Sequence, residues 1–196
     1  MFALFKGKRE KVDAAGGLYE AVVAQSRLPV FYELYGVPDT VDGRFDLICL
    51  HTYLVMDRLF EDKRKGKRLA QAVFDRMFRN MDHVLREMGV GDLAIPHHMK
   101  RMMKGFNGRA VAYQDAMRAE EPEELEDVLR RNLYGTAEKP PGDETVKVMA
   151  LYMHETALTL EDQPWEQLAA GIIELKRMDY EEENGNGRKN TSGMVA

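Results

Sequence analysis

The chain has 196 residues and a mass of 22.5 kDa, with 44% hydrophobic and 31% charged residues and a formal net charge of -5. That length can bury a continuous apolar core, and the composition excludes fibrous, low-complexity and wholly disordered chains. A single cysteine, Cys49, excludes an internal disulfide and a cysteine-based zinc cluster and points to a reducing compartment, the cytoplasm.

In chain order, residues 1–15 read as a flexible basic N-terminus. Phe2, Leu4 and Phe5 precede Lys6, Lys8, Arg9 and Lys11, too short an apolar run, with its basic residues on the wrong side, for a signal peptide. A short interfacial anchor is the alternative use of that segment. Residues 16–178 form the helical domain, and 179–196, rich in Glu, Asn, Gly and Lys, carry too little apolar area to offset ordering and read as a disordered tail.

Within the domain, Asp42-Gly43-Arg44 reads as a turn into a helix over 45–59 whose apolar residues surround the axis, which places it at the centre. Helical spacing of Ala70, Val73, Met77, Met81, Val84 and Met88 predicts an amphipathic helix over 65–88, closed by Gly89. After Pro96, Met99, Met102, Met103, Phe106, Ala110, Tyr113 and Met117 form the stripe of a second such helix. Pro122 opens a short helix to Leu133, and Asp143 is placed to cap the next, which carries Val146, Met149, Met153 and Leu160. Pro164-Trp165 opens a last helix carrying Leu168, Ile172 and Leu175. No strand pair competes with these patterns, no apolar run reaches the roughly 18 residues of a membrane span, and the fold class is all-α.

The chemistry of catalysis is poorly represented. Neither Ser26 nor Ser192 lies in a G-x-S-x-G turn, and no phosphate-binding glycine motif is present. His51, His83, His97, His98 and His154 include no i, i+4 pair and no Glu-x-x-His spacing, so neither a metal nor a haem ligand set is apparent and no cofactor is expected. Cys49 lies in an apolar run, where a thiol behaves as a small hydrophobe.

Two other features point to binding. Residues 58–118 carry 14 Lys/Arg against 7 Asp/Glu, whereas 119–196 carry 8 against 18. A basic middle segment suits an anionic partner such as a membrane surface or ribosomal RNA, or is a solvated face balanced by the acidic third. The 13 methionines are either core or an adaptable groove for an apolar client.

The segment from Tyr35 through Gly36, Val37, Pro38, Asp39, Gly43, Arg44, Phe45 and Asp46 to His51 resembles the ubiquinol–cytochrome c chaperone family, the assembly factors of the cytochrome bc1 complex. Residues 81–92, Phe106-Asn107-Gly108-Arg109 with Tyr113, and Arg131-Asn132-Leu133-Tyr134 extend the resemblance over residues 20–175. It implies a mostly helical, non-enzymatic chaperone that binds newly made cytochrome b, with a small partner protein and a ribosome contact in mitochondrial members. The chain is expected to lack their long N-terminal extension, a pattern similar to the bacterial branch.

On the residues alone, Gly36 and Gly43 permit turn dihedrals, Asp39 or Asp42 can cap the following helix, and Arg44 can grip carboxylates. The segment is then a fold-defining corner, or Asp39, Arg44 and Asp46 touch the client. Met99, Met102, Met103, Phe106 and Arg109 are the expected client contacts, on a protein peripheral to the inner face of the cell membrane. The alternative is an RNA- or ribosome-binding module built on residues 58–118; no DNA partner is expected.

Overall fold

The computed structural model describes residues 13–178, eight helices and, among the described residues, no strand. They are α1 (Ala14–Ser26), α2 (Val30–Glu33), α3 (Val41–Glu61), α4 (Lys63–Glu87), α5 (Ile95–Met117), α6 (Pro122–Asn132), α7 (Asp143–Glu161) and α8 (Trp165–Ala169). The tail expected at 179–196 and most of the expected N-terminus lie outside the described residues. Helix begins at Ala14, where Asp13 Oδ1 accepts the amide of Gly16 at 2.9 Å.

Its near-complete apolar circumference puts α3 in the middle, in contact with α1, α4, α5 and α7. Leu47, Leu50, Val55 and Leu59 have no exposed surface, and each such side chain contributes about 1.5–3 kcal/mol by leaving water. One side of α3 packs on α2, α5, α6 and α7 through Phe31, Tyr113, Leu129, Met149 and Tyr152. Another packs on α1, α4 and α8 through Leu18, Val22, Ala70, Val73 and Leu168. A third cluster joins Tyr19, Cys49, Met77, Phe78 and Phe106.

Several caps differ from the sequence expectation. Thr40, not Asp39 or Asp42, caps α3, its hydroxyl accepting the Gly43 amide at 3.1 Å. Gly142 holds the cap position of α7, and Asp143 accepts instead from Arg130 at 2.8 Å. The last helix spans only Trp165–Ala169, so Ile172 and Leu175 lie on irregular chain. That chain is pinned by Gln163, which exchanges two hydrogen bonds with the backbone of Glu174 at 2.7 and 2.8 Å, and by Gln25, whose Nε2 donates to Lys176 O at 2.7 Å.

Among the described residues no helix is long and apolar enough to cross a membrane.

Candidate functional site

The segment from residue 35 to residue 51 divides into an outer and an inner half. In the outer half Gly36 adopts φ +66°, a turn conformation that favours glycine, and carries the chain from α2 towards α3. Gly43 is helical rather than a turn residue: a Cβ there would collide with the carbonyl oxygen of Pro38, so the absent side chain lets the approaching loop lie against the first turn of α3. Val37 is buried beneath this corner.

Arg44 reaches back through Nε to Asp39 Oδ1 at 2.6 Å and stands 5.9 Å from the centre of the Tyr32 ring. Both charged groups are exposed, and the Arg44 hydrogen bond holds the Asp39 carboxyl below the usual carboxylate range. The pair is one rim of an open groove of about 650 Å³, the size of a typical ligand cleft. The end of α1, α2, the start of α3, the last turns of α4 and one residue of α5 form its walls. Phe45, Ile48, Met81, Val84, Met88 and Met102 supply apolar lining, and Val41 and Met88 at the mouth are 60% and 55% exposed.

The inner half makes two buried connections. Asp46, 3% exposed, meets Arg109 of α5 at 2.6 Å, separately from the Asp39–Arg44 pair, so no three-residue ion network forms. Burial raises the Asp46 carboxyl to about 7 against the pull of Arg109, whose Nε also donates to Asn132 O at 3.4 Å. His51 is fully buried between Ser26 and Tyr152, with Nδ1 2.8 Å from Ser26 Oγ and Nε2 2.7 Å from the Tyr152 hydroxyl.

Proton roles around His51 follow from its neighbours. Ser26 donates to Val22 O and so accepts from Nδ1–H, while Nε2 accepts from Tyr152, whose oxygen accepts from Gln25. Burial lowers the imidazole to about 3, so it stays neutral. Nearby, the Tyr134 hydroxyl donates to Tyr35 O at 3.0 Å. Three of the resembling stretches, 35–51, 106–113 and 131–134, thus meet through Asp46–Arg109, Arg109–Asn132 and Tyr134–Tyr35, while residues 81–92 lie apart on the end of α4 and the loop after it.

The residues expected to touch a client are dispersed by this arrangement. Phe106 is 2% exposed and packs edge-on against Phe74 and Phe78, and Arg109 pairs with Asp46. Met99 and Met102 are half-buried, and only Met102 lines the groove; Met103, 38% exposed, points elsewhere on α5. The groove methionines the sequence expectation missed are Met81 and Met88, which stand at the far end of the α4 stripe.

Cys49 is buried, and burial pushes its thiol far above the ordinary range. Among the described residues no three His, Cys, Asp or Glu side chains gather into a possible metal site.

Fold and site define an all-α bundle that presents an apolar, methionine-lined groove beside an exposed ion pair. The chain belongs to the ubiquinol-cytochrome C chaperone family, whose model matches residues 33–175. It is similar to the crystal structure of the Cbp3 homolog from Brucella abortus, with a TM-score of 0.73 and 33% identity over 84% of this chain and 89% of that one. Over 104 residues it is 23% identical to ubiquinol-cytochrome-c reductase complex assembly factor 1 of Xenopus laevis, a match covering 53% of this chain and 52% of that protein. The same identity and length hold for the Mus musculus assembly factor 1, of which the match covers 35%. The chain thus spans about half or less of the curated relatives it matches.

Proposed function

We propose that this protein is a non-enzymatic assembly chaperone of the cytochrome bc1 complex that holds an apolar segment of newly made cytochrome b, peripherally at the inner face of the membrane. The observation that carries the reading is the groove itself. Its apolar floor is lined by three unbranched methionines and opens beside the Asp39–Arg44 pair of the segment that resembles the family. Methionine side chains adjust to varied apolar shapes, which suits a client bound before it is folded. An amphipathic helix laid in such a groove would bury its apolar side chains against Phe45, Val84 and Met88 and leave polar groups to Arg44 and Asp39. The family membership and the names of the relatives support bc1 assembly as the setting.

Site-specific photocrosslinking in the native cell from positions 84, 88 and 102, followed by a high-salt wash, tests this. Cytochrome b is the expected main adduct, because apolar contacts survive salt, and Met88→Glu is expected to reduce the yield from positions 84 and 102 at unchanged helix content. If ribosomal RNA or ribosomal proteins dominate while cytochrome b is present and unlabelled, the groove assignment falls and the RNA- or ribosome-binding reading replaces it.

A further inference from the structure

At the opposite end of α4 from the groove lies a second surface, and it is cationic. Phe60, Lys63, Arg64, Lys67, Arg68 and Gln71 line a shallow, open depression of about 650 Å³. The spacing explains the cluster: 63 with 67 and 64 with 68 are i, i+4 pairs, so all four cations share one side of the first turns of α4. Gly66 and Ala70 occupy the buried side.

None of these four cations makes a salt bridge among the described residues, whereas Arg44, Arg58, Arg76, Arg86, Arg109 and Arg130 all do. The two acids that directly precede them in the chain face another cation. Glu61 and Asp62 turn towards Arg58 at 3.6 and 2.7 Å, and Arg58 also donates to the carbonyls of Leu160 and Gln163. The four like charges are exposed, and Lys63 and Arg64 stand in the first turn of α4, where the backbone dipole is also positive, so the cluster favours an external anion.

Apolar surface adjoins the cations. Phe60, 43% exposed, is the ridge between the cationic depression and an apolar hollow of about 110 Å³ between α3 and α5. Val111, 57% exposed, stands on the other lip of that hollow. Exposed cations beside a projecting ring and an aliphatic side chain complement a lipid interface, with phosphate headgroups for the charges and acyl chains for the apolar pair. A single-stranded nucleic acid needs several stacking rings along a charged track, and this face offers one.

We propose that the face formed by Phe60, Val111, Lys63, Arg64, Lys67 and Arg68 docks the protein on an anionic phospholipid surface. It rests on the proposed function only for the membrane setting. From Lys67 to Val84 the axis of α4 runs about 25 Å, so the docking face and the client groove are separate surfaces.

The test is co-sedimentation of the full chain with phosphatidylcholine vesicles that contain or lack phosphatidylglycerol. Binding is expected only to the anionic vesicles and should weaken as salt rises. At about fivefold per cation, the K63Q/R64Q/K67Q/R68Q variant should lose more than about 100-fold in affinity, and Phe60→Ser should lose several-fold at constant charge. Equal binding to both vesicle types, or undiminished binding by the quadruple variant at unchanged helix content, overturns the proposal. So does a wild-type chain that ignores anionic vesicles and binds single-stranded RNA through the same four residues. Met88→Glu should bind vesicles normally, and the quadruple variant should still crosslink to cytochrome b from position 102 in detergent extract, so failure of the docking face and failure of the groove are distinguishable.

Discussion

The carboxylate of Asp46 on α3 and the guanidinium of Arg109 on α5 meet at 2.6 Å, with side chains only 4% and 23% exposed. Neither has an equivalent partner elsewhere, so removing one leaves the other buried and unpaired, which typically costs about 3–5 kcal/mol. The two removals should nevertheless differ. Without Arg109, Asp46 can take up a proton, since burial already raises its carboxyl to about 7. Arg109→Ala is therefore expected to destabilise the protein strongly at pH 8 and much less at pH 5, measured by urea unfolding. An equal loss at both pH values would show that the carboxyl is not held as an unpaired buried charge.

His51 gives the opposite pH dependence. In the unfolded chain it titrates near 6.5, but in the fold burial lowers it to about 3. Below pH 6.5 the unfolded chain therefore binds a proton that the native chain does not, and the stability contributed by this site is lost as pH falls. From pH 6.5 to 5 that loss is about 2 kcal/mol. Asp46 works the other way: the native state keeps its proton up to about 7 while the unfolded state releases it near 3.8, so its contribution declines as pH rises between those values. His51→Gln should accordingly recover about 2 kcal/mol relative to wild type on acidification from pH 6.5 to 5. Parallel pH profiles of variant and wild type by urea unfolding would mean that the imidazole is not the titrating group.

How much of this was legible in the sequence depends on how local the signal is. Helices α3 to α7 follow from apolar spacing and proline or glycine punctuation, because each uses a stripe or a whole circumference that periodicity detects. α1, largely apolar around its circumference, offers no polar face for periodicity to detect, and its Gly17 is required where the backbone of Gly171 lies against it. The segment from 35 to 51 carried the family resemblance and read as a corner or a client contact, but which charges pair across it depends on helix crossings that leave no trace in spacing. The stripe on α5 has the same ambiguity: Phe106 and Met103 are three residues apart, yet one is core and the other is exposed. Only the position of α4 decides between them, since Phe74 and Phe78 draw Phe106 inwards.

At Gly43 a single methyl group is expected to disrupt the corner. Its Cβ would overlap the Pro38 carbonyl oxygen, which is rigid backbone with no flexible side chain to yield. Gly43→Ala should lower stability by about 1–3 kcal/mol, more than offsetting the helix-propensity gain of about 1 kcal/mol. Because Asp39 follows Pro38 directly, the displaced loop should also loosen the Asp39–Arg44 pair, and cytochrome b crosslinking from position 88 should fall. Gly108→Ala, also within a helix but with no atom within 4 Å of the added Cβ, is the control and should be neutral or stabilising in the same thermal melt. Equal behaviour of the two variants would remove the steric argument for glycine at position 43.

Tyr113 offers a test in the opposite direction. Its ring is fully buried 5.6 Å from that of Tyr53, but its hydroxyl, alone among the buried side-chain polar atoms described, has no hydrogen-bond partner. Burial pushes this phenol far above its ordinary range, so it stays neutral and cannot serve as an anion beside Arg109. An unpaired buried hydroxyl costs about 1–3 kcal/mol, whereas the ring contributes through packing that phenylalanine retains. Tyr113→Phe is therefore expected to leave the fold intact and raise stability by about 1 kcal/mol, while Tyr113→Leu, which empties part of the ring site, should lower it by at least as much. Thermal and urea unfolding of the two variants separate the hydroxyl from the ring. A clear loss on Tyr113→Phe would show that the hydroxyl holds a partner in solution, and Asp46 and Arg109, whose charges bear on this phenol, would be where to look for it.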